Sequence, residues 1–223
     1  PNNHPLPGNM LGTIYKGGVI VPVIQTLLLT VLTLSVERYF TIRASFGRMK
    51  LSKFVEQIKD ALNNGDLGKA QELCDKQRGS VANVVSSTLR KYREMEKTND
   101  LTKEQKVLAI QKELEEATAL ELPMMQQNLP IIATITTLGT LMGLLGTVIG
   151  MIRSFAALSA GGGTDSVALS TGISEALINT AFGILTGALA VISYNYYTNK
   201  IDKLTYSLDE VGFSIVQTFA STH

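Results

Sequence analysis

"GISEALINTAFGILTGALAVISYNYY", residues 172–197, contains one charged residue, Glu175, and then no Asp, Glu, Lys or Arg before Lys200. So long an apolar run reads as a helix crossing a bilayer, because ~20 mostly apolar residues are needed to cover ~30 Å of hydrocarbon. With its polar lead-in, the span is placed at residues 170–197. Working back along the chain, "LPIIATITTLGTLMGLLGTVIGMIRSF" (129–155) meets the same test, with no charge before Arg153. So does "GGVIVPVIQTLLLTVLTLSV" (17–36), although Pro22 and Gln25 weaken it. A cleaved leader is the competing reading of that first run. Its length, the lack of a basic opening segment and the ending on Glu37-Arg38 favour a span.

Composition alone hides this layout. The 223 residues are 45% hydrophobic with a net charge of +1, values that fit a soluble protein. The charges, however, crowd into residues 39–128 and leave 129–152 and 176–199 empty. The expected fold is therefore an all-α membrane protein: three transmembrane helices with long helices extending into a helical domain at 37–128. Arg38, Arg43, Arg48, Lys50 and Lys53 follow the first span closely, whereas the loop at 156–169 has no Lys or Arg. By the positive-inside rule, the N-terminal segment (1–16) and the Gly161-Gly162-Gly163 loop lie outside the cytoplasm, and residues 37–128 and 198–223 lie inside.

Within the cytoplasmic block, Leu51, Phe54, Val55, Ile58 and Leu62 repeat at helical spacing. Asn64-Gly65 ends that helix, and Asp66 is placed to cap the next, which buries Leu67, Ala70, Leu73 and Cys74. A third helix presents Val81, Val84, Val85, Leu89 and Tyr92. Thr102 followed by Gln105 has the spacing of a capping box opening a helix from Lys103 to about Gln127. Its expected apolar seam is Leu108, Leu114, Ala117 and Leu120, and Pro123 and Pro130 are expected to kink or interrupt the join to the second span. The "KELEE" run reads as a solvated face, with a cytoplasmic vestibule as the alternative.

His4 and His223 sit at opposite ends of the sequence and Cys74 is the sole cysteine, so no disulfide or Cys/His metal site is expected. Nor does any span hold a His, an Asp or a Ser-His pair, so an intramembrane protease lacks its catalytic groups. No enzyme activity, metal or cofactor is expected.

In the second span, Thr136, Thr140, Gly143, Thr147, Gly150 and Ser154 recur at intervals of four and three. The third span offers two neighbouring stripes: Glu175, Asn179, Thr186 and Ser193, and beside them Ala176, Thr180, Gly183, Gly187, Ala190 and Tyr194. Gly139 with Gly143, Gly146 with Gly150, and Gly183 with Gly187 are GxxxG pairs, which let helix backbones approach closely in lipid. The plain reading is tight packing, with the chain a passive scaffold. The sharper one is a polar lumen, in which Thr147 and Thr180 lie within roughly 3 Å of one level if the spans are antiparallel. Glu175 must then face protein or water, because a carboxylate in lipid costs at least ~2.5 kcal/mol at the bilayer centre. It either serves ion passage or pairs with Arg153 to hold two helices together. No second carboxylate lies deep in a span, so a complete proton path needs a titrating group from another subunit.

"GLLGTVIGMIRSF" (143–155) followed by "GISEALINTAFGILTGALAVISYNYY" resembles the paired signature of the ExbB/TolQ/MotA proton-channel family. The three-span layout, Glu37-Arg38 and "GDLGKAQELCDKQRGSVANVVSSTLRKY" are most similar to its ExbB/TolQ branch. The resemblance implies a bacterial inner-membrane subunit forming a homo-pentameric ring around the helices of an ExbD- or TolR-like partner that carries a membrane Asp. That complex would use the proton-motive force to drive a TonB- or TolA-like protein, with no nucleic acid involved. By this likeness the lumen threonines fall on Thr147 and Thr180, and the family's glutamate on Glu175. Many relatives have a Pro where Thr140 stands here. An ExbB-type role in TonB-dependent transport is the leading implication; a TolQ-type role in envelope integrity or a gliding-type motor is the alternative.

Overall fold

A computed structural model describes residues 18–160 and 166–222. The expectations for residues 1–16, Gly161-Gly162-Gly163, His4 and His223 concern residues outside that set. The described residues form seven α-helices and no strand: α1 (Ile20–Ser45), α2 (Leu51–Asn63), α3 (Leu67–Gln77), α4 (Ser80–Lys97), α5 (Lys103–Gln126), α6 (Leu129–Ala160) and α7 (Ser166–Thr222). Three stretches, carried by α1, by α5 continuing into α6, and by α7, are long and apolar enough to cross a membrane. The helices run past the sequence-based bounds: α6 continues to Ala160, and α7 passes from the third span to the C-terminal residues without a break.

The helices group into two compact units. Of the described residues, one unit comprises those from Gly18 to Val36 and from Asn128 to Asn195; the other comprises Glu37–Gln127 and the residues from Tyr196 to Thr222. The second unit is a helical bundle built on the spacings described above. Phe54, Val55, Ile58 and Leu62 of α2, Ala70 and Cys74 of α3, and Val81, Val84, Val85, Leu89 and Tyr92 of α4 are all buried. The Asp66 side chain accepts from the Lys69 N–H at 2.8 Å to start α3. Burial pushes the Cys74 thiol up to about 12, with the Asp75 charge adding to the effect. The last part of α7 closes the bundle with a stripe of Ile201, Leu204, Leu208, Val211, Ile215 and Phe219, all buried. Phe219 meets Tyr92 edge to face at 4.9 Å, and Lys59 of α2 reaches Glu210 at 2.5 Å.

Two expectations for α5 change. The capping box is present, with Thr102 and Gln105 bonding reciprocally. The apolar seam, however, is displaced: Leu108 and Leu120 are exposed, while Ile110 and Met125 are buried. A helix rich in Glu, Lys and Gln carries too few apolar residues for spacing to fix its inward side, and the packing of its neighbours chose another one. The join to α6 breaks at neither proline. Pro123 lies inside α5, and the turn is made at Asn128, whose φ is +66°. Asn is among the few side chains that tolerate the left-handed region just after a helix. Pro130 then stands in the first turn of α6, where its missing N–H breaks no helical bond.

Two glycines fix the loops at the base of the bundle. Gly47 (φ +77°) and Gly79 (φ +86°) bring the end of α1 against the start of α4, where a Cβ on Gly79 would lie 2.7 Å from the carbonyl oxygens of Ala44 and Ser45. Between them, buried Gln77 accepts from the Met49 N–H at 2.9 Å and donates to Phe46 O at 2.7 Å. Those bonds satisfy polar groups that the α1–α2 connection would otherwise bury unpaired.

Candidate functional site

The glycines of the second and third spans bring α6 and α7 into antiparallel backbone contact. A Cβ on Gly143 would lie 3.0 Å from Gly183 Cα, one on Gly139 3.1 Å from Thr186, and one on Gly150 3.0 Å from Gly172 O. Gly146 faces the side chain of Asn179, and Gly187 faces Thr136 and Thr140. All six glycines of the GxxxG pairs therefore lie in one interface, and close approach is what the lack of a Cβ permits. Both polar stripes of the third span turn into it: Asn179 and Thr186 are buried, as are Ala176 and Ala190.

The threonines take separate places along this seam. Thr180 Oγ1 lies 3.4 Å from Gly143 O across the interface and the same distance from Ala176 O in its own helix. Thr147 donates to Leu144 O at 2.6 Å within α6 and lines a shallow groove with Val148, Met151, Ile152 and Phe155. The antiparallel register pairs Gly143 with Gly183, Gly146 with Asn179 and Gly150 with Ala176, which sets Thr147 within one to two residues of the level of Thr180, about 1.5–3 Å along the helix axes. Thr136 and Thr140 return their hydroxyls to their own helix, donating to Ile132 O and Thr136 O at 3.3 Å. The amide of Asn179 is fully enclosed and neither its nitrogen nor its oxygen has a partner.

Glu175 accepts from Arg153 at 3.0 Å, joining α7 to α6 beside the contact that Gly150 makes with Gly172 and Ala176. The carboxylate is largely covered (side chain 12% exposed), whereas the guanidinium is half open (52%). Gly18, at φ +74° just before α1, closes over the pair, and any Cβ there would collide with the Glu175 carboxylate. Glu175 is thus the point where the ends of all three apolar helices meet. Among the described residues, Glu175 and Arg153 are the charged side chains of the second and third spans.

Sequence reasoning missed two features. It did not anticipate Gly18, because a glycine before a helix looks like any helix boundary. Nor does the sequence assign a task to the Glu37-Arg38 pair. Arg38 is buried in the bundle unit and is forked by the Glu37 carboxylate, which also accepts from Thr41 at 3.0 Å. Its other nitrogen donates to Met124 O at 3.0 Å and Met125 O at 3.3 Å. Those carbonyls belong to the last turn of α5, where no helical N–H remains to serve them. A cation there is favoured by the helix dipole. The usable signal was a charge pair set directly against the end of an apolar run.

Comparison with known proteins points one way. Residues 79–210 match the model of a family described as the MotA/TolQ/ExbB proton channel family. That range contains α4 to α6, the α6–α7 interface, Glu175 and both threonines. An ExbB-like 3 biopolymer transport protein of Synechocystis sp. is 38% identical over 86 residues, which cover 38% of this chain and 41% of that protein. An ExbB homolog of Methanothermobacter thermautotrophicus is 25% identical over 196 residues, 87% of this chain and 65% of the relative. The ExbB-like 1 protein of Synechocystis sp. is 30% identical over 192 residues, 83% and 69% respectively. The matches to the first two relatives thus span less than two thirds of their lengths.

Proposed function

Since this chain belongs to the MotA/TolQ/ExbB proton channel family, we propose that it is the ring-forming subunit of an inner-membrane motor that uses the proton-motive force to energise TonB-dependent transport. The observation that carries this reading is the α6–α7 pair itself. Its tightly packed glycines, its two threonine hydroxyls and the Glu175–Arg153 pair all fall in the family-matched segment. Hydroxyls move protons only along a chain of water, and no second carboxylate lies deep in the described spans. The titrating group is therefore supplied by a partner, an ExbD- or TolR-like single-span protein with a membrane Asp. Five copies of this chain would surround the partner, with N-termini outside and C-termini in the cytoplasm. Thr147 and Thr180 would face the lumen, while Thr136, Thr140 and Asn179 extend the polar stripe. Glu175 would tune or gate the outer end. The proposal includes no cofactor, metal or catalytic step.

A second reading has its own support. The TolQ protein of Haemophilus influenzae is 33% identical over 104 residues, so a TolQ-type role in envelope integrity follows from the same architecture. Co-purification with the product of the adjacent gene, followed by subunit counting, tests the shared core. Five copies around a single-span protein with a membrane Asp are expected, and a lone chain or a ring of another number would overturn it. A TonB neighbourhood against a TolB and Pal neighbourhood separates the two roles. Thr147→Val with Thr180→Val is expected to weaken proton-coupled function while leaving assembly intact. Unchanged proton-dependent uptake in that double variant, at normal expression, removes the lumen assignment.

A further inference from the structure

Within the bundle unit, Tyr39, Ile42, Arg43 and Phe46 of the α1 end face Tyr196, Tyr197 and Lys200 of α7 across a groove of about 260 Å³. Two cations thus share one small, aromatic-walled space. The Arg43 guanidinium donates to the Tyr39 hydroxyl at 3.1 Å, and the Lys200 ammonium sits 5.5 Å from the centre of the Tyr196 ring. Both contacts aim positive charge without neutralising it. Among the described residues neither Arg43 nor Lys200 has a carboxylate partner. The nearest acids along the two helices are otherwise placed: Glu37 is held by Arg38 and Thr41, and Asp202, two residues beyond Lys200, points away by about 200° of helical turn.

Position decides what kind of anion this groove meets. In sequence, Tyr39 follows the last residue of the first apolar span by three positions, and Lys200 is the first charge after the third. That is the headgroup level of a bilayer, where Tyr concentrates because its ring favours the apolar side and its hydroxyl the wet side. Tyr39, Phe40 and Tyr196 are exposed there. A floor of Ile42 and Tyr197, both buried, suits the glycerol and first methylenes of a lipid better than a free, fully hydrated anion.

We propose that this groove binds the phosphodiester of an anionic phospholipid, clamped between Arg43 and Lys200 and flanked by the Tyr39 hydroxyl, with the acyl chains left in the bilayer. A bound lipid would fill the groove and bridge the end of α1 to α7. The proposal needs only that the chain spans a membrane, so it stands or falls separately from the motor reading.

The full chain, purified in mild detergent and titrated with phosphatidylglycerol, provides the test, with retained lipid read by native mass spectrometry. Stoichiometric phosphatidylglycerol is expected, with phosphatidylcholine retained far more weakly and bound lipid not displaced by inorganic phosphate. In Arg43→Gln with Lys200→Gln, phosphatidylglycerol affinity is expected to fall about thirtyfold, since each cation near a membrane surface contributes a several-fold factor. Helicity and elution volume should stay unchanged, because neither side chain is in the core. Equal retention of the two lipids, release by inorganic phosphate, or parental affinity in the double variant would each overturn the proposal. If the double variant loses its fold, Tyr39→Phe replaces it: a several-fold weaker affinity is expected, and parental affinity counts against the site.

Discussion

Gly183→Ala puts the α6–α7 interface to its most direct test. A methyl added at Gly183 would lie 2.6 Å from Gly143 Cα, 2.8 Å from Gly139 O and 3.0 Å from Gly143 N. All three are backbone atoms of one helix, so no side chain can rotate away. Carbon atoms rest at ~3.5–4.0 Å, so α6 and α7 must part by about 1 Å over this turn, which forfeits a quarter to a half of the local dispersion contact. Overpacking of this kind costs ~1–3 kcal/mol. At ~2–4 °C per kcal/mol for a chain of this size, the melting temperature should drop on the order of 5 °C. The same substitution at Gly68 provides the control. Gly68 lies in the first turn of α3, and its added methyl meets no backbone atom, only the Asp66 capping carboxylate at 3.3 Å. There, replacing Gly by Ala should leave stability within about 0.5 kcal/mol of the parent, because no backbone has to move. Circular-dichroism melts of both variants and the parent in one detergent decide the matter. If Gly183→Ala melts at or above the parent, the backbone contact at Gly143 is refuted.

Three further outcomes follow from single contacts. Arg153→Gln leaves the covered Glu175 carboxylate without its cation, so it should lower the melting temperature more than Arg153→Gln combined with Glu175→Gln does; the reverse order would show that the pair contributes nothing. Arg38→Gln removes the cap on Met124 O and Met125 O and should destabilise by ~1–3 kcal/mol in a chemical-unfolding titration; a loss within experimental error would show that those carbonyls find other donors. For Cys74, the folded thiol titrates near 12 against an ordinary value of 9.0. Because burial raises it, the stabilising contribution is complete below pH 9 and is lost as the pH climbs from there toward 12. Maleimide should accordingly label Cys74 slowly in the native chain at neutral pH and rapidly after unfolding; equal rates would contradict its burial.

Local patterning carried most of the fold. The three apolar stretches, the inward residues of α2, α3 and α4, and the Thr102 capping box were legible because each depends on spacing within one helix. The seam of α5 was not, since Leu108 and Leu120 could be ranked against Ile110 and Met125 only by knowing which neighbours surround that helix. The same holds for the turn before α6. Two prolines drew attention as breakers, yet the chain turned at Asn128, where the left-handed conformation was available.

The candidate site divides along the same line. Composition and periodicity alone determined that small and hydroxyl residues share helix faces and that Glu175 must be sheltered. Those conclusions follow from the cost of charge in hydrocarbon and the fixed geometry of a helix. Only the tertiary structure decided how the faces pair: Gly143 against Gly183, Thr180 on the Gly143 carbonyl, Arg153 on Glu175 with Gly18 closed over them, and Arg38 on the last carbonyls of α5. Each of these joins residues far apart in sequence. Their register is set by where backbones can touch and which polar groups are left unserved, and no one-dimensional pattern encodes that.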